Sequence, residues 1–343
     1  MTFAPRGSRR HFLRSTAGAS VAIGFGSVAK FAHAQAEFQF KFASELPAAH
    51  PSSVRAVEAL NAIKQESGGR LVIEPFLGAA LGSATDMLSQ VRSGAIEMQY
   101  LAPASLATVD PRASLHSVPF AFESFDKVWA ALDGDVGGVL RGVYEKVGLV
   151  ALPKAWDHGY RQITTSTKPI NTPADLAGVK MRVAVVPMYV SLFKALGTAT
   201  TAINFSELYT ALQAKVVDGQ ENPLPLIESA RLYEVQKFCS LTSHTWEGYF
   251  VACNQRHWAR LPKNLQDMVT ANFNKAAELQ RADLARLSAT LEQTLTSKGM
   301  QFSRPNPAPF RDQLQKAGFY KEWSAKLGAD AWSTLERYSG KLA

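Results

Sequence analysis

Residues able to do covalent chemistry are sparse in this chain of 343 residues. Seven histidines are scattered through it, two of them (His11 and His33) within the first 36 positions. There is no G-x-S-x-G elbow, no H-E-x-x-H, no phosphate loop and no paired-histidine metal spacing. His158 and His244 stand near aromatic residues, where a lone histidine is more often structural or ligand-contacting than a catalytic base. Nothing in the pattern favours an enzyme, and neither a metal nor a cofactor is expected. Two stretches instead read as a recognition surface. The first is Trp156-Asp157-His158-Gly159-Tyr160-Arg161-Gln162, followed by Lys180-Met181-Arg182-Val183. The second is Phe205-Ser206-Glu207-Leu208-Tyr209, followed by Val217-Asp218-Gly219-Gln220-Glu221-Asn222-Pro223. Both combine aromatic surface with planar hydrogen-bonding groups, the mixture that small-molecule sites use.

The elements that must position these residues follow a repeated grammar of amphipathic helix, glycine stop and short β-branched strand. The pattern predicts a helix over Ser52–Ser67 before a strand at Leu71–Ile73, and a helix over Ser83–Ser93 before an extended Ile96–Leu101. Thr172-Pro173-Ala174-Asp175 is a capping arrangement with proline at the first helical position. It opens a short helix that Gly178 closes before the strand Lys180–Val186, and Ser206–Lys215 is a further helix running into Val216-Val217. The alternation predicts an α/β protein with largely parallel sheets. Val91–Glu97 and Leu212–Asp218 share one apolar pattern, which suggests two similar lobes with a cleft between them. From Lys263 to Lys298 apolar residues recur every three or four positions, with Leu265, Phe273, Leu284 and Leu291 among them. Such a helix, about 50 Å long, suits a strap across both lobes better than a coiled coil, because its spacing drifts from a strict heptad.

The first 36 residues read as a twin-arginine export signal. Ser8-Arg9-Arg10-His11-Phe12-Leu13 supplies the arginine pair, Ser15–Phe31 a mild apolar run, and Ala32-His33-Ala34 or Ala34-Gln35-Ala36 the cleavage site. The glycine pattern Gly24-Phe25-Gly26 inside this segment follows no strand and is no dinucleotide fingerprint. The formal net charge of +8 includes Arg6, Arg9, Arg10, Arg14 and Lys30, so the remaining 307 residues carry only +3. That excludes the basic footprint of a nucleic-acid binder, and no later run of 18 apolar residues predicts membrane insertion. A soluble protein working in the periplasm is expected. Cys239 and Cys253 are its only cysteines; two buried, unpaired thiols are expected over a bridge.

The recognition stretches carry a family resemblance. Pro173-Ala174-Asp175-Leu176-Ala177-Gly178-Val179-Lys180-Met181-Arg182 resembles the P-x-D-L-x-G-x-K-x-R signature of the DctP-type solute-binding subunits of TRAP (tripartite ATP-independent periplasmic) transporters. Asp218-Gly219-Gln220-Glu221-Asn222-Pro223 resembles their D-G-Q-E-N-P, and the likeness runs from about Phe38 to the C-terminus through Ser117–Phe122 and Tyr233–Lys237. The resemblance implies a two-lobed periplasmic binding protein fold, class II-like, with the long helix bridging both lobes. One lobe would comprise residues 37–158 with about 247–285, the other 159–246 with about 286–343. It implies capture of a small carboxylate and delivery to a permease of small and large membrane subunits, against an ABC-type binding protein, a periplasmic enzyme or a partner of a membrane sensor as alternatives.

By the same resemblance Arg182 pairs with the ligand carboxylate, Arg161 is a second arginine near it, Asn222 an amide donor and Phe205 a pocket wall. Trp156, His158, Trp246, Tyr249 and Tyr100 fall at cleft positions. Such aromatics favour a compact acid with an apolar or aromatic body over a heavily hydroxylated sugar acid. The sequence departs from the family in delaying the proline after Arg182 to Pro187, and in carrying His158 where many members have asparagine.

Overall fold

The computed structural model describes residues 36–342, and the expected export signal lies outside the described residues up to residue 35. Among the described residues there are ten strands: β1 Phe38–Ala43, β2 Leu71–Phe76, β3 Met98–Leu101, β4 Leu149–Ala151, β5 Trp156–Thr165, β6 Lys180–Val183, β7 Ala199–Ala202, β8 Gly219–Pro223, β9 Phe238–Asn254 and β10 Gln301–Ser303. They join in the order β2-β1-β3-β9-β5-β8-β6-β7, with β4 and β10 also paired to β9. The outer strands run parallel, as their helix-strand repeats dictate: β1 with β2 and β3, and β6 with β7 and β8. The centre does not. There β9 lies antiparallel to β3, β4 and β5, and β5 antiparallel to β8, so the sheet is mixed where a largely parallel one was expected. The reason is length: β9 covers 17 residues, and one continuous strand serves both ends of the sheet.

Local signals explain most boundaries. Ser83 caps the helix Ala84–Ser93 with Asp86 as its capping-box partner, and Gly94 ends it in the left-handed region at φ 88°. Thr172 and Asp175 form the expected capping box, over a 3₁₀ turn at Pro173–Leu176. β6 stops at Val183 rather than Val186, because the Val186 N–H turns back to the Ala184 carbonyl at 2.7 Å before Pro187 begins the helix Pro187–Ala195. Val216-Val217 forms no strand. The turn begins at Lys215 with φ 56°, Val216 is 60% exposed, and the strand starts only at Gly219.

The strap helix runs from Lys263 to Ser297. Its first half packs Leu265, Val269, Phe273, Ala276 and Ala277 into one apolar cluster with Phe42, Leu60, Met98 and Val251. Its far end sends Leu295 into another cluster with Leu208, Leu212 and Ile227. Residues 285–290 between them contain no buried side chain, so the helix anchors at both ends and spans the stretch between, as expected of a bridge. No described helix is long and apolar enough to cross a membrane.

β5 and β9 connect the two ends of the sheet, and both are irregular there. Their register shifts between Asp157 and Gly159 and again between Arg161 and Ile163. Gly159 sits at φ 111°, where a Cβ would also lie 3.2 Å from the Pro223 side chain, so this bulge requires glycine.

Candidate functional site

A cavity with an empty volume of about 660 Å³, counted to its open mouth, lies between these elements. Neighbouring strands β5, β8 and β6 supply Arg161, Asn222 and Arg182. The helix Phe205–Gln213 places Phe205 at its first position, and the helix Pro187–Ala195 adds Tyr189. From the β1–β3 end of the sheet come Glu45 after β1, Thr85 and Leu88 on the helix after Ser83, and Ala102 and Ser105 after β3, and the central strand β9 adds Glu247 and Tyr249.

The two arginines have opposite surroundings. Arg161 is 3% exposed and clamps Glu221. Its Nε donates to one carboxylate oxygen; its Nη2 donates to the other at 2.9 Å, to the Glu221 carbonyl at 2.7 Å and to Asn222 Oδ1 at 2.9 Å. Burial alone would lower its pKa, but the Glu221 charge outweighs burial and the net shift is upward. Glu221 is held down to about 2, the Arg161 charge and the His244 hydrogen bond overcoming its own desolvation. The Tyr189 ring lies 5.0 Å from the guanidinium carbon, a cation–π contact.

Arg182 is 1% exposed and has no carboxylate partner within 4 Å among the described residues. Its Nε donates to the Ile203 carbonyl at 2.8 Å, while Nη1 is buried with no partner. Desolvation lowers its pKa to about 10, with Glu221 and Glu45 opposing from a distance and Arg161 adding to the drop. A buried guanidinium with an unmet donor and no counter-ion costs free energy that an incoming anion recovers.

Phe205 and Asn222 line the cavity with the two arginines. Asn222 is already engaged at both ends, accepting from Arg161 and donating from Nδ2 to Gln220 Oε1 at 2.5 Å. One amide hydrogen remains for a ligand. Trp156, His158, Trp246 and Tyr100 stand behind the lining. Tyr100 stacks on Tyr249 with ring centroids 4.5 Å apart, Trp156 packs edge-on to Tyr100 at 5.3 Å, and His158 packs edge-on to Tyr249 at 4.9 Å. Trp246 faces away from the cavity by strand alternation: Glu247 and Tyr249 line it, and residue 246 points to the other side of β9. Its indole donates to Asp157 at 2.9 Å.

Glu45, Tyr189 and Glu247 are the ionisable lining residues that escaped the sequence reading. Glu247 is the only acid between Phe238 and Asn254, and that isolation inside a strand-like run was the available signal. It is 3% exposed and accepts from His116 at 2.5 Å, from Ser117 at 3.3 Å and from the Tyr189 hydroxyl. Desolvation pushes its pKa up, but His116 and Arg161 prevail and the net shift is downward. Glu45 makes no hydrogen bond or ion pair through its carboxylate among the described residues. Burial raises its pKa, with Arg182 and Arg161 opposing and Glu247 adding.

Comparison with known proteins decides the family. The family model for bacterial extracellular solute-binding proteins of family 7, DctP, matches residues 42–325. The chain belongs to this family. It is 33% identical over 241 residues to the 2,3-diketo-L-gulonate-binding periplasmic protein YiaO of Escherichia coli K12, covering 70% of this chain and 73% of that one. A TRAP periplasmic solute-binding protein of Roseobacter denitrificans OCh 114, solved with bound L-galactonate, superposes with a TM-score of 0.82 at 30% identity. That match covers 89% of this chain and 99% of the other. The uncharacterized protein y4mM of Sinorhizobium fredii is 39% identical over 232 residues, or 68% of this chain; the match spans only 42% of that longer protein. The chain therefore has the two-lobed TRAP binding-protein fold, and its family consists of substrate-binding proteins rather than enzymes.

Proposed function

We propose that this DctP protein captures a small carboxylate in the cavity between β6 and Glu45 and hands it to a TRAP permease of small and large membrane subunits. One observation carries the reading: Arg182 is a buried, uncompensated guanidinium whose Nη1 has no partner. A carboxylate accepts two parallel charge-assisted hydrogen bonds from such a guanidinium. The free amide hydrogen of Asn222 adds a third contact, Arg161 holds Asn222 in place through its own pairing with Glu221, and Phe205 closes one side. Ala84, Leu88, Ala102, Val186 and Leu226 give the middle of the cavity an apolar character. The bound L-galactonate of the Roseobacter relative makes sugar acids the first compounds to try, beside compact aliphatic and aromatic acids.

Lining residues come from both ends of the sheet, so a ligand bridging them favours a closed arrangement. We assign the lobes to about 37–158 with 247–285, and 159–246 with 286–343, hinged at the bulged crossing of β5 and β9. Export through a twin-arginine signal at residues 1–36 completes the proposal. The test is calorimetry on the ligand found by thermal-shift screening of acids. Arg182→Ala loses about 2–5 kcal/mol of binding; unchanged affinity in that variant would sink the carboxylate assignment.

A further inference from the structure

The charges around the cavity balance in a way that restricts the ligand further, on the reading just given. Arg161 is committed to Glu221 through both carboxylate oxygens. Glu247 is committed to His116, Ser117 and Tyr189. Two charged groups of the lining remain without an oppositely charged partner within 4 Å among the described residues: the Arg182 guanidinium, whose Nε holds only the Ile203 carbonyl, and the Glu45 carboxylate. They do not pair with each other within 4 Å, yet both line the same cavity. A ligand carboxylate on Arg182 uses the only uncommitted cation on the lining. The rest of the ligand then meets Glu45, which also lines the adjoining groove with Phe205, Arg231 and Glu234.

We propose that the cavity selects monocarboxylates that carry a hydrogen-bond donor, a hydroxyl or ammonium, away from the carboxylate, and rejects dicarboxylates, with Glu45 as the selecting residue. A donor at that end gives Glu45 the hydrogen bond it lacks. A second carboxylate gives it like-charge repulsion in a low-dielectric space, with Arg161 already neutralised by Glu221. The charged and titratable groups facing Glu45 are Arg182 on β6, Arg161 on β5, and Glu247 and Tyr249 on β9. Arg231 and Glu234 stand on the outer side. Because burial raises the Glu45 pKa, a dicarboxylate is tolerated best when Glu45 holds a proton, so its affinity increases as pH falls.

Matched acids of equal length test this: gluconate against glucarate, glycerate against tartronate, and 4-hydroxybutyrate against succinate, by calorimetry at pH 8 and pH 5.5. Wild-type protein should prefer the monoacid of a pair at least tenfold at pH 8, and less at pH 5.5. Glu45→Gln should bring the pair within about threefold at both pH values. Equal or tighter binding of the diacid by wild type at pH 8, or an unchanged ratio in Glu45→Gln, overturns the proposal. Arg182→Ala separates the two readings: full binding in that variant removes the anion site itself, whereas loss of both acids leaves only the Glu45 comparison to decide. Wild-type protein that binds none of these acids overturns both.

Discussion

Arg161 and Arg182 stand on strands separated only by β8, both buried and both lining one cavity, yet one is internally satisfied and the other is not. Arg161 has Glu221 on two donors and a cation–π contact beneath it. Arg182 has one backbone carbonyl and an orphaned nitrogen. The difference teaches that a buried arginine is not a binding group by virtue of residue type. What makes it one is a missing counter-ion. The Arg161–Glu221 pair organises β5 against β8 and orients Asn222, while Arg182 keeps its charge available at a cost to the unliganded fold.

Breaking the satisfied pair should have the largest effect. Glu221→Ala leaves Arg161 buried and unpaired, so stability measured by chemical denaturation should drop by about 3–5 kcal/mol; a loss under 1 kcal/mol would erase the distinction between the two arginines. Arg182→Met should do the reverse. It removes an unmet charge, so the unliganded melting temperature should hold or rise while affinity falls by about 2–5 kcal/mol. A melting temperature that drops steeply would mean that Arg182 is structural.

A buried carboxyl without a cation sharpens the contrast from the acidic side. Desolvation raises Asp157 to about 7, the Trp246 indole and the more distant Arg281 only partly offsetting it. The folded state then holds a proton that the unfolded chain has released above the ordinary carboxylate range. Stability from this group is therefore full at low pH and is lost as pH rises through about 7, at about 1.4 kcal/mol per unit. Asp157→Asn should flatten that segment of the stability–pH curve between pH 5 and 7; a curve of unchanged slope would refute it. The smallest effect belongs to Asn222→Ala, which removes one hydrogen bond to Arg161 and one ligand donor. It should cost about 1 kcal/mol each in stability and affinity, and an affinity loss equal to that of Arg182→Met would move the centre of the anion site.

Much of this arrangement was legible in the sequence because local signals wrote it. Ser83, Gly94, Thr172 and Pro187 mark their boundaries by capping and backbone restriction, and the family resemblance of the recognition stretches named Arg182, Arg161, Asn222 and Phe205, which line one cavity. What escaped depends on strand phase and on pairing between distant segments. Trp246 and Glu247 are neighbours, and only the facing of β9 decides which side chain enters the cavity. Glu45 sits in a loop whose relation to β6 no short-range pattern encodes. The antiparallel centre of the sheet was equally hidden, since β5 and β9 meet across some 80 residues of chain.

β9 also carries both thiols. Cys253 lies opposite Met98 and Val150 at one end of the strand, Cys239 opposite Thr164 and Phe302 at the other; neither is bridged, and both are fully buried. Burial holds each thiol far from the reactive thiolate form. Each end of the strand thus contains its own silent clock. Alkylation rates at the two positions, followed separately by peptide mass, time how often each end of the sheet opens, and a ligand that ties the ends together should slow both clocks to a common rate.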